Sequence, residues 1–408
     1  MTVLEPQADP LPLAGVRVVE FTHMVMGPTA GLILADLGAD VLKIEPMEGD
    51  NTRRLLGSGA GYFPMYSRNK RSVCLDMKSE AGLAVVRDLL KDADVLIENF
   101  RPGAMEKLGL GEDACRELNP RLIYLSAKGF LAGPYEKRTA LDEVAQMMGG
   151  LAYMTGPPGR PLRAGASVID VMGGMFGVIG VLASLHQRGV TGRGATVKSG
   201  LYENCVFLMG QHMAQKAVTG TAARPMPVRI SAWAIYDLFN TKDEEQVFIG
   251  VVTDGQWVNF CKTFGLDELA NDETLSKNNG RVQQRERVIP VVQALVATMT
   301  KEELMPRLEA IGLPFAPVRR PEDLFEDAHL LAEGGLIAMA LPGGKGDTAL
   351  PALPVALNDQ RPAGRLDPPE PGQHTLEALR ALGYDEDRIT TLYATGVVAG
   401  VAKDGAPE

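Results

Sequence analysis

Cysteine is scarce in this sequence of 408 residues, and what there is lies scattered. Cys74, Cys115, Cys205 and Cys261 form no CxxC pair and no Cys/His ligand spacing. That excludes a zinc ribbon and makes a reduced, cytoplasmic protein the expectation. Histidine is equally thin. His23, His186, His212, His329 and His374 make no HExxH pair, and no GxSxG elbow occurs, so neither a metal centre nor a serine-hydrolase site is expected. Positive charge is in deficit: the formal net charge is -10, which excludes a general nucleic-acid-binding surface. Long apolar runs are missing too. The longest without a charge, Val171 to Leu185, is 15 residues, short for an ordinary membrane span, so no membrane partner is expected. The first twelve residues place no basic region ahead of an apolar stretch, so they do not read as a signal peptide.

What is present has the rhythm of an α/β protein. Val16 to Phe21, Asp40 to Glu45, Ser72 to Asp76, Val95 to Glu98 and Arg121 to Ser126 read as short buried strands. Gly27 to Leu37 and Ala81 to Lys91 read as helices between them. Strand, crossover helix and strand within about 30 residues is the parallel βαβ unit, and its repetition predicts a parallel sheet with helices on both faces. From Leu141 to Leu208 the pattern turns helical. A strand pair, Ala232 to Phe239 and Gln246 to Val252, opens a second unit whose helices run to about Ile311. Arg319 to Leu324 links back to the first. The proline-rich stretch Pro351 to Pro371 reads as an ordered wrap, followed by helices at Thr375 to Leu382 and Ile389 to Tyr393.

Few residues stand out as chemistry. Asp170 lies directly before the glycine-rich stretch VMGGMFGVIGVLASLH. An Asp so placed most often only caps a helix. A carboxylate held ionised by helix N–H groups could instead attack a thioester. Arg53, Arg54, Arg68, Lys70, Arg71 and Lys78 make a locally basic stretch with one acid, Asp76. It reads either as a solvated face or as a set of phosphate ligands. Gly27-Pro28 opens a helix after the first strand, where backbone could approach a phosphate. The fingerprint GxGxxG is absent, so Glu45 at the end of the second strand is weak support for a nicotinamide enzyme. His23 follows a strand end, the usual place for a site in such folds.

In order along the chain, several segments resemble the class III CoA-transferases, the CaiB/BaiF family. They are LAGVRVVEFTHMVMGPTAGLILADLGADVLKIEP, GDNTR, NKRSVCLDMK, DVLIENFRPGAMEKLGLG, LNPRLIYLSAKGF, DEVAQMMGGLAYMTG and AGASVIDVMGGM, then TGRGATVKSGLYE, VVTDGQWVNFCKTFG, GLPFAPVRRPEDLFED and PPEPGQHTLEALRALGY. The resemblance spans about Leu13 to Val398. It implies a Rossmann-like large domain from residues 1–224 and 325–408, a smaller α+β domain from 225–324, and an interlocked-ring homodimer. It implies Asp170 as nucleophile, through an aspartyl mixed anhydride and an aspartyl-CoA thioester. It places CoA against Lys43, Arg53, Met77, Lys78, Asn99, Phe100, Arg101 and Met105, with His23, Val25 and Leu141 around the acyl group. CoA and acyl-CoA enter as substrates, and no tightly bound cofactor is implied.

Two positions depart from formyl-CoA transferase, which has glutamine at the position of Val25 and tyrosine at that of Leu141; a glycine-rich loop is also replaced by RPMPVRIS. Met24, Val25 and Met26 point to a larger or more apolar acyl group, with a dicarboxylic acid such as succinate as a candidate donor. An α-methylacyl-CoA racemase of the same fold would need histidine where Leu141 stands, and leucine moves no proton. A partner-dependent subunit of a hetero-oligomer is the other alternative.

Overall fold

The computed structural model describes residues 11–229 and 231–400, so most of the acidic chain start lies outside it. The chain forms two compact units. One is built from the residues up to Pro227 together with those from His329 on; the other is Val228–Ala328.

The first unit is organised by six strands, β1 (Arg17–Phe21), β2 (Asp40–Glu45), β3 (Lys70–Leu75), β4 (Val95–Glu98), β5 (Ile123–Lys128) and β6 (Thr196–Gly200), all paired in parallel in the order β3-β2-β1-β4-β5-β6. Ahead of the second unit its helices are α1 (Met26–Asp36), α2 (Tyr62–Tyr66), α3 (Glu80–Lys91), α4 (Ala104–Lys107), α5 (Glu112–Leu118), α6 (Asp142–Met148), α7 (Leu151–Thr155), α8 (Val168–Thr191) and α9 (Leu201–Thr219). β1, β2, β4 and β5 are buried on both faces, which is why they read as nearly unbroken apolar runs. Val19, Phe21, Leu42, Ile44, Val73 and Leu75 face one way, into a core with Val85 and Leu90 of α3 and with Leu379 and Leu392 of the C-terminal helices Thr375–Ala381 and Glu386–Ala394. Val18, Val41, Ile97 and Leu125 face the other way, onto Leu34 of α1 and Val178 and Val181 of α8. The result is a three-layer α/β sandwich.

The second unit carries an antiparallel sheet of β7 (Tyr236–Asn240), β8 (Gln246–Gly250) and β9 (Phe315–Pro317), covered by helices around Trp257, Phe260, Val288 and Leu304. Beyond it, β10 (Leu336–Ala340) and β11 (Asp347–Pro351) form a hairpin, and β12 (Val398–Ala399) adds antiparallel to β3 at the edge of the main sheet.

Several elements differ from the sequence reading. β6 was not expected: TVKSG is half polar, and only its last two residues are buried. The β10–β11 hairpin was hidden for a similar reason, since most of its side chains lie at the surface. The helix expected from Val171 is the 24-residue α8, which starts three residues earlier and runs on to a left-handed Gly192. By length and composition alone it could cross a membrane. Its glycines, however, are seated on protein. A Cβ at Gly177 would meet Leu125 at 3.1 Å, and one at Gly180 would meet Val197 at 2.5 Å. The proline-rich segment is ordered by the main sheet: Asn69 accepts the N–H groups of Arg365 and Leu366 at 2.6 and 2.9 Å.

Candidate active site

The strand order reverses between β1 and β4. In parallel α/β sheets a crevice opens outside the carboxyl ends of the strands at such a point. A cavity of about 820 Å³ lies there. It is lined by the turn after β1 (His23, Met24, Val25, Met26) and the loop after β4 (Asn99, Phe100, Arg101). The end of β5 and residues 136–143 leading into α6 complete the wall, together with Tyr62, Ser167, Leu201 and Asp170. Thus the structure brings Asp170, His23, Val25, Leu141, Asn99, Phe100 and Arg101 together, as the sequence reading grouped them.

Asp170 is not the helix cap. α8 begins at Val168, and its cap residue Ser167 makes no side-chain bond, so Asp170 sits inside the first turn. The cap comes from another helix. Asp142, buried at the start of α6, accepts the N–H groups of Ile169 (2.9 Å) and Asp170 (3.0 Å) on Oδ2. Its Oδ1 accepts from Gln146, whose own Oε1 takes the N–H of Ala164 at 2.8 Å. Asp142 is therefore fully satisfied. Asp170 is not: its carboxylate has no hydrogen bond or ion pair among the described residues. Burial, then the neighbouring carboxylates of Asp142 and Glu143, push its pKa up to about 7, against a smaller opposing pull from Arg163. The expectation that helix N–H groups hold Asp170 firmly ionised is thus corrected: Asp142 takes those N–H groups. Arg163 itself pairs with Glu143.

The neighbouring loop is held from below. Glu98 takes Ser126 Oγ (2.6 Å), Lys128 Nζ (2.7 Å) and the N–H of Phe100 (2.9 Å). His23 packs on Phe100 with ring centroids 5.8 Å apart. Desolvation of its ring, assisted by Lys43 and Arg101 and opposed by Asp50, lowers the pKa of His23 from its usual value, although the residue is partly open to solvent. Val25 is almost wholly buried beneath the turn; the apolar surface open to the cavity comes from Met24 and Leu141.

The remaining residues expected at CoA lie elsewhere. Lys43 is 1% exposed; it donates to the carbonyl of Thr22 (2.5 Å) and pairs with Asp50 (3.0 Å). Arg53 is bound to both oxygens of Glu45 (2.8 and 2.6 Å), donates to the carbonyl of Pro369 (2.7 Å) and covers the ring of Phe63. Both charges are spent inside the protein. Met77 and Met105 pack on the core, and Lys78 is exposed outside the cavity wall. Other cations serve the cavity. Arg101 and Lys137 have no acid partner among the described residues, and Arg138 lies over the rings of Tyr135 (5.0 Å) and Phe130 (5.9 Å). Sequence reasoning missed Lys137, Arg138, Asp142 and Tyr62. The adjacent basic pair before a predicted helix was the available signal for the first two. For Asp142 it was the i,i+4 spacing to Gln146.

Comparison with known proteins gives the chemistry a family. The profile described as CoA-transferase family III matches residues 13–375. The chain is 32% identical to mouse (Mus musculus) succinyl-CoA:glutarate CoA-transferase, over 96% of this chain and 92% of the mouse protein. It is 33% identical to the succinyl-CoA–L-malate CoA-transferase beta subunit of Chloroflexus aurantiacus, over 95% of this chain and 98% of that one. A crystal structure of a CaiB/BaiF family protein from Brucella suis superimposes with a TM-score of 0.81 at 30% identity, covering 92% of this chain and all of that one (100%). With that profile over most of its length and relatives above 30% identity along nearly the whole chain, this chain belongs to CoA-transferase family III.

Proposed function

We propose that this enzyme carries CoA from an acyl-CoA donor to a free carboxylic acid by way of Asp170. The observation that carries the reading is Asp170 itself, a carboxylate at the cavity with no hydrogen bond or ion pair among the described residues. An unpaired, desolvated carboxylate is a stronger nucleophile than a solvated one, and acylation removes the charge that its surroundings oppose. Asp170 attacks the donor thioester carbonyl, giving a mixed anhydride and CoA thiolate. The thiolate attacks the aspartyl carbonyl, forming an aspartyl-CoA thioester and releasing the donor acid. The acceptor carboxylate attacks that thioester, giving a second anhydride and thiolate again. Thiolate attack on the acceptor carbonyl forms the new acyl-CoA and frees Asp170. Every step exchanges one activated acyl group for another, and the anhydrides demand exclusion of water. Arg101, Lys137 and Arg138 are the cations suited to the CoA phosphates.

Succinyl-CoA is the donor we favour, since relatives that match over nearly their full length are named for succinyl-CoA. The racemase reading has no support at Leu141, where a proton-transfer residue would be required. For assembly we favour a homodimer. Phe176 and Ile179 of α8, with Phe207 and Met213 of α9, form an exposed apolar face, and Phe176 stacks edge-on against Phe207 at 5.3 Å. The Chloroflexus name makes a heteromer the alternative. The four cysteines are unpaired and buried, in keeping with a cytoplasmic setting. Intact-protein mass spectrometry after mixing with succinyl-CoA, with hydroxylamine or borohydride trapping, tests the mechanism. An adduct on Asp170 that is lost in Asp170→Ala supports it; no adduct with any acyl-CoA sinks it.

A further inference from the structure

The turn between β1 and α1 is held more completely than a surface turn needs to be. Four consecutive backbone groups are each taken by a buried or half-buried side chain. The Thr22 carbonyl accepts from Lys43 Nζ at 2.5 Å. The His23 N–H donates to Asn99 Oδ1 (3.1 Å), and its carbonyl accepts from Asn99 Nδ2 (2.8 Å). The Met24 N–H donates to Thr52 Oγ1 at 3.1 Å. Thr52 is fixed in turn, because its own N–H donates to Asp50 Oδ1 (2.8 Å) while Asp50 Oδ2 pairs with Lys43 (3.0 Å). Lys43, Asp50 and Thr52 therefore close a buried loop that grips the turn on both sides of His23.

What they grip is strained. Met24 has φ of +65°, a left-handed conformation that a side chain disfavours and that persists only where the surroundings impose it. The turn also folds back tightly: a Cβ at Gly27 would lie 2.5 Å from Thr22 Cγ2 and 3.1 Å from Asn99 Cγ. Its far end rests on the nucleophile's helix. Gly173 and Gly174 lie three and four residues after Asp170, on the same face of α8. A Cβ at Gly173 would be 2.5 Å from Met26 Cε, and one at Gly174 would be 2.7 Å from the Met26 carbonyl. A shift of the turn is thus transmitted to the cavity wall it shares with Asp170.

We infer that Thr52, backed by Lys43 and Asp50, is a positioning residue of this enzyme, which keeps the 22–25 turn in its strained form so that the bound thioester is seated against Asp170. The inference rests on the reading of Asp170 as nucleophile. It gives Lys43 a role that its burial allows, holding the turn from within the protein.

The test uses Thr52→Val, which keeps the shape and removes the acceptor for the Met24 N–H, with Thr52→Ala in parallel and Thr52→Ser as the conservative control. The expected result is a fall in kcat of about 10- to 100-fold, the scale of a small misplacement of reacting groups. KM for succinyl-CoA stays within about twofold and Thr52→Ser turns over near the wild-type rate, as a loss confined to positioning requires. Hydrogen exchange at the Met24 amide quickens in Thr52→Val and not in Thr52→Ser. A wild-type kcat in Thr52→Val and Thr52→Ala overturns the inference, as does a loss of melting temperature alone that Thr52→Ser shares. If the wild-type protein forms no Asp170 adduct, the reading beneath the inference fails and both are overturned. If the adduct forms and Thr52→Val turns over normally, only the inference fails.

Discussion

Two clusters of buried charge lie within the first unit, and they are built on opposite terms. Around β1 to β3, Glu20, Lys43, Glu45, Asp50, Arg53 and Lys70 are matched acid to base: Lys70 meets Glu20 at 2.8 Å, Lys43 meets Asp50 at 3.0 Å and Arg53 meets Glu45 at 2.6 Å. The sheet register sets Glu20 beside Lys43, 3.7 Å from its Nζ, and Lys43 beside Ser72. Burial raises the pKa of Glu45 and Asp50, yet their cationic neighbours outweigh it and hold both below the ordinary carboxylate range. Lys70 is where burial wins, taking its pKa down to about 8 despite Glu20. At the start of α8 the count is uneven. Asp142, Glu143 and Asp170 share one nearby arginine, Arg163, which Glu143 occupies. Matched charge holds the frame, whereas unmatched charge is left on Asp170, the proposed nucleophile.

The largest effect that would break this contrast is at Asp170. Asp170→Asn is expected to lower transferase turnover by at least about 10³-fold, since the covalent route is lost altogether. The same change should stabilise the protein. Between the ordinary aspartate range and about pH 7 the folded chain holds a proton on Asp170 that the unfolded chain has released, so stability falls as pH rises through that window. Above it the penalty is fully present. Thermal melts should therefore show Asp170→Asn above wild type at pH 8, with the gap closing toward pH 4. A lower melting point at pH 8 would show that Asp170 is a structural residue. In the matched cluster the sign reverses. Arg53→Met strands Glu45 in the interior and should cost about 3–5 kcal/mol in urea denaturation, whereas replacing Arg53 and Glu45 together with apolar residues should cost much less. Equal losses in the single and double variants would mean that Arg53 matters for its packing on Phe63.

The frame was more legible in the sequence than the site. Asp40–Glu45 and Val95–Glu98 fall where the apolar runs placed them, because strands buried on both faces leave little else for such a run to be. β6 escaped because an edge strand with a half-polar face carries no such signal. At the site, Asp170 and the loop residues Asn99 to Arg101 were legible in position. Lys43 and Arg53 were legible as cations but not as spent ones. Their partners Asp50 and Glu45 are only seven and eight residues away, yet whether such neighbours meet depends on where the chain turns after β2. Asp142 was the least visible. Its partners are N–H groups 27 and 28 residues further on, and hydrogen bonds from side chain to distant backbone leave no periodic mark.

Asp142 also gives a finer test of the unmatched cluster. Asp142→Asn keeps an oxygen to accept the two N–H groups of α8 and removes the charge. The groups around Asp170 are then Glu143, Arg163, and Tyr66, whose own pKa rises from burial and the charge of Asp170. With one repelling carboxylate gone, the acidic limb of the kcat/KM profile for acyl-CoA should move down from about 7 toward the ordinary carboxylate range. An unmoved limb with reduced kcat would assign Asp142 to capping alone.

The smallest expected effect lies at the rim. Arg101 is exposed and has no acid partner among the described residues. An exposed cation facing a phosphate is screened by water and salt, so Arg101→Ala should raise KM for acyl-CoA by only about fivefold at low salt, with kcat unchanged. That difference should shrink as salt is added, because the wild-type advantage is the part that ions screen. Arg53→Met, whose charge never reaches the cavity, should show no such salt-dependent KM. If instead its KM rose and fell with salt as that of Arg101→Ala does, the division between matched frame and unmatched site would be drawn in the wrong place. Arg53 would then leave Glu45 for the phosphate when acyl-CoA binds.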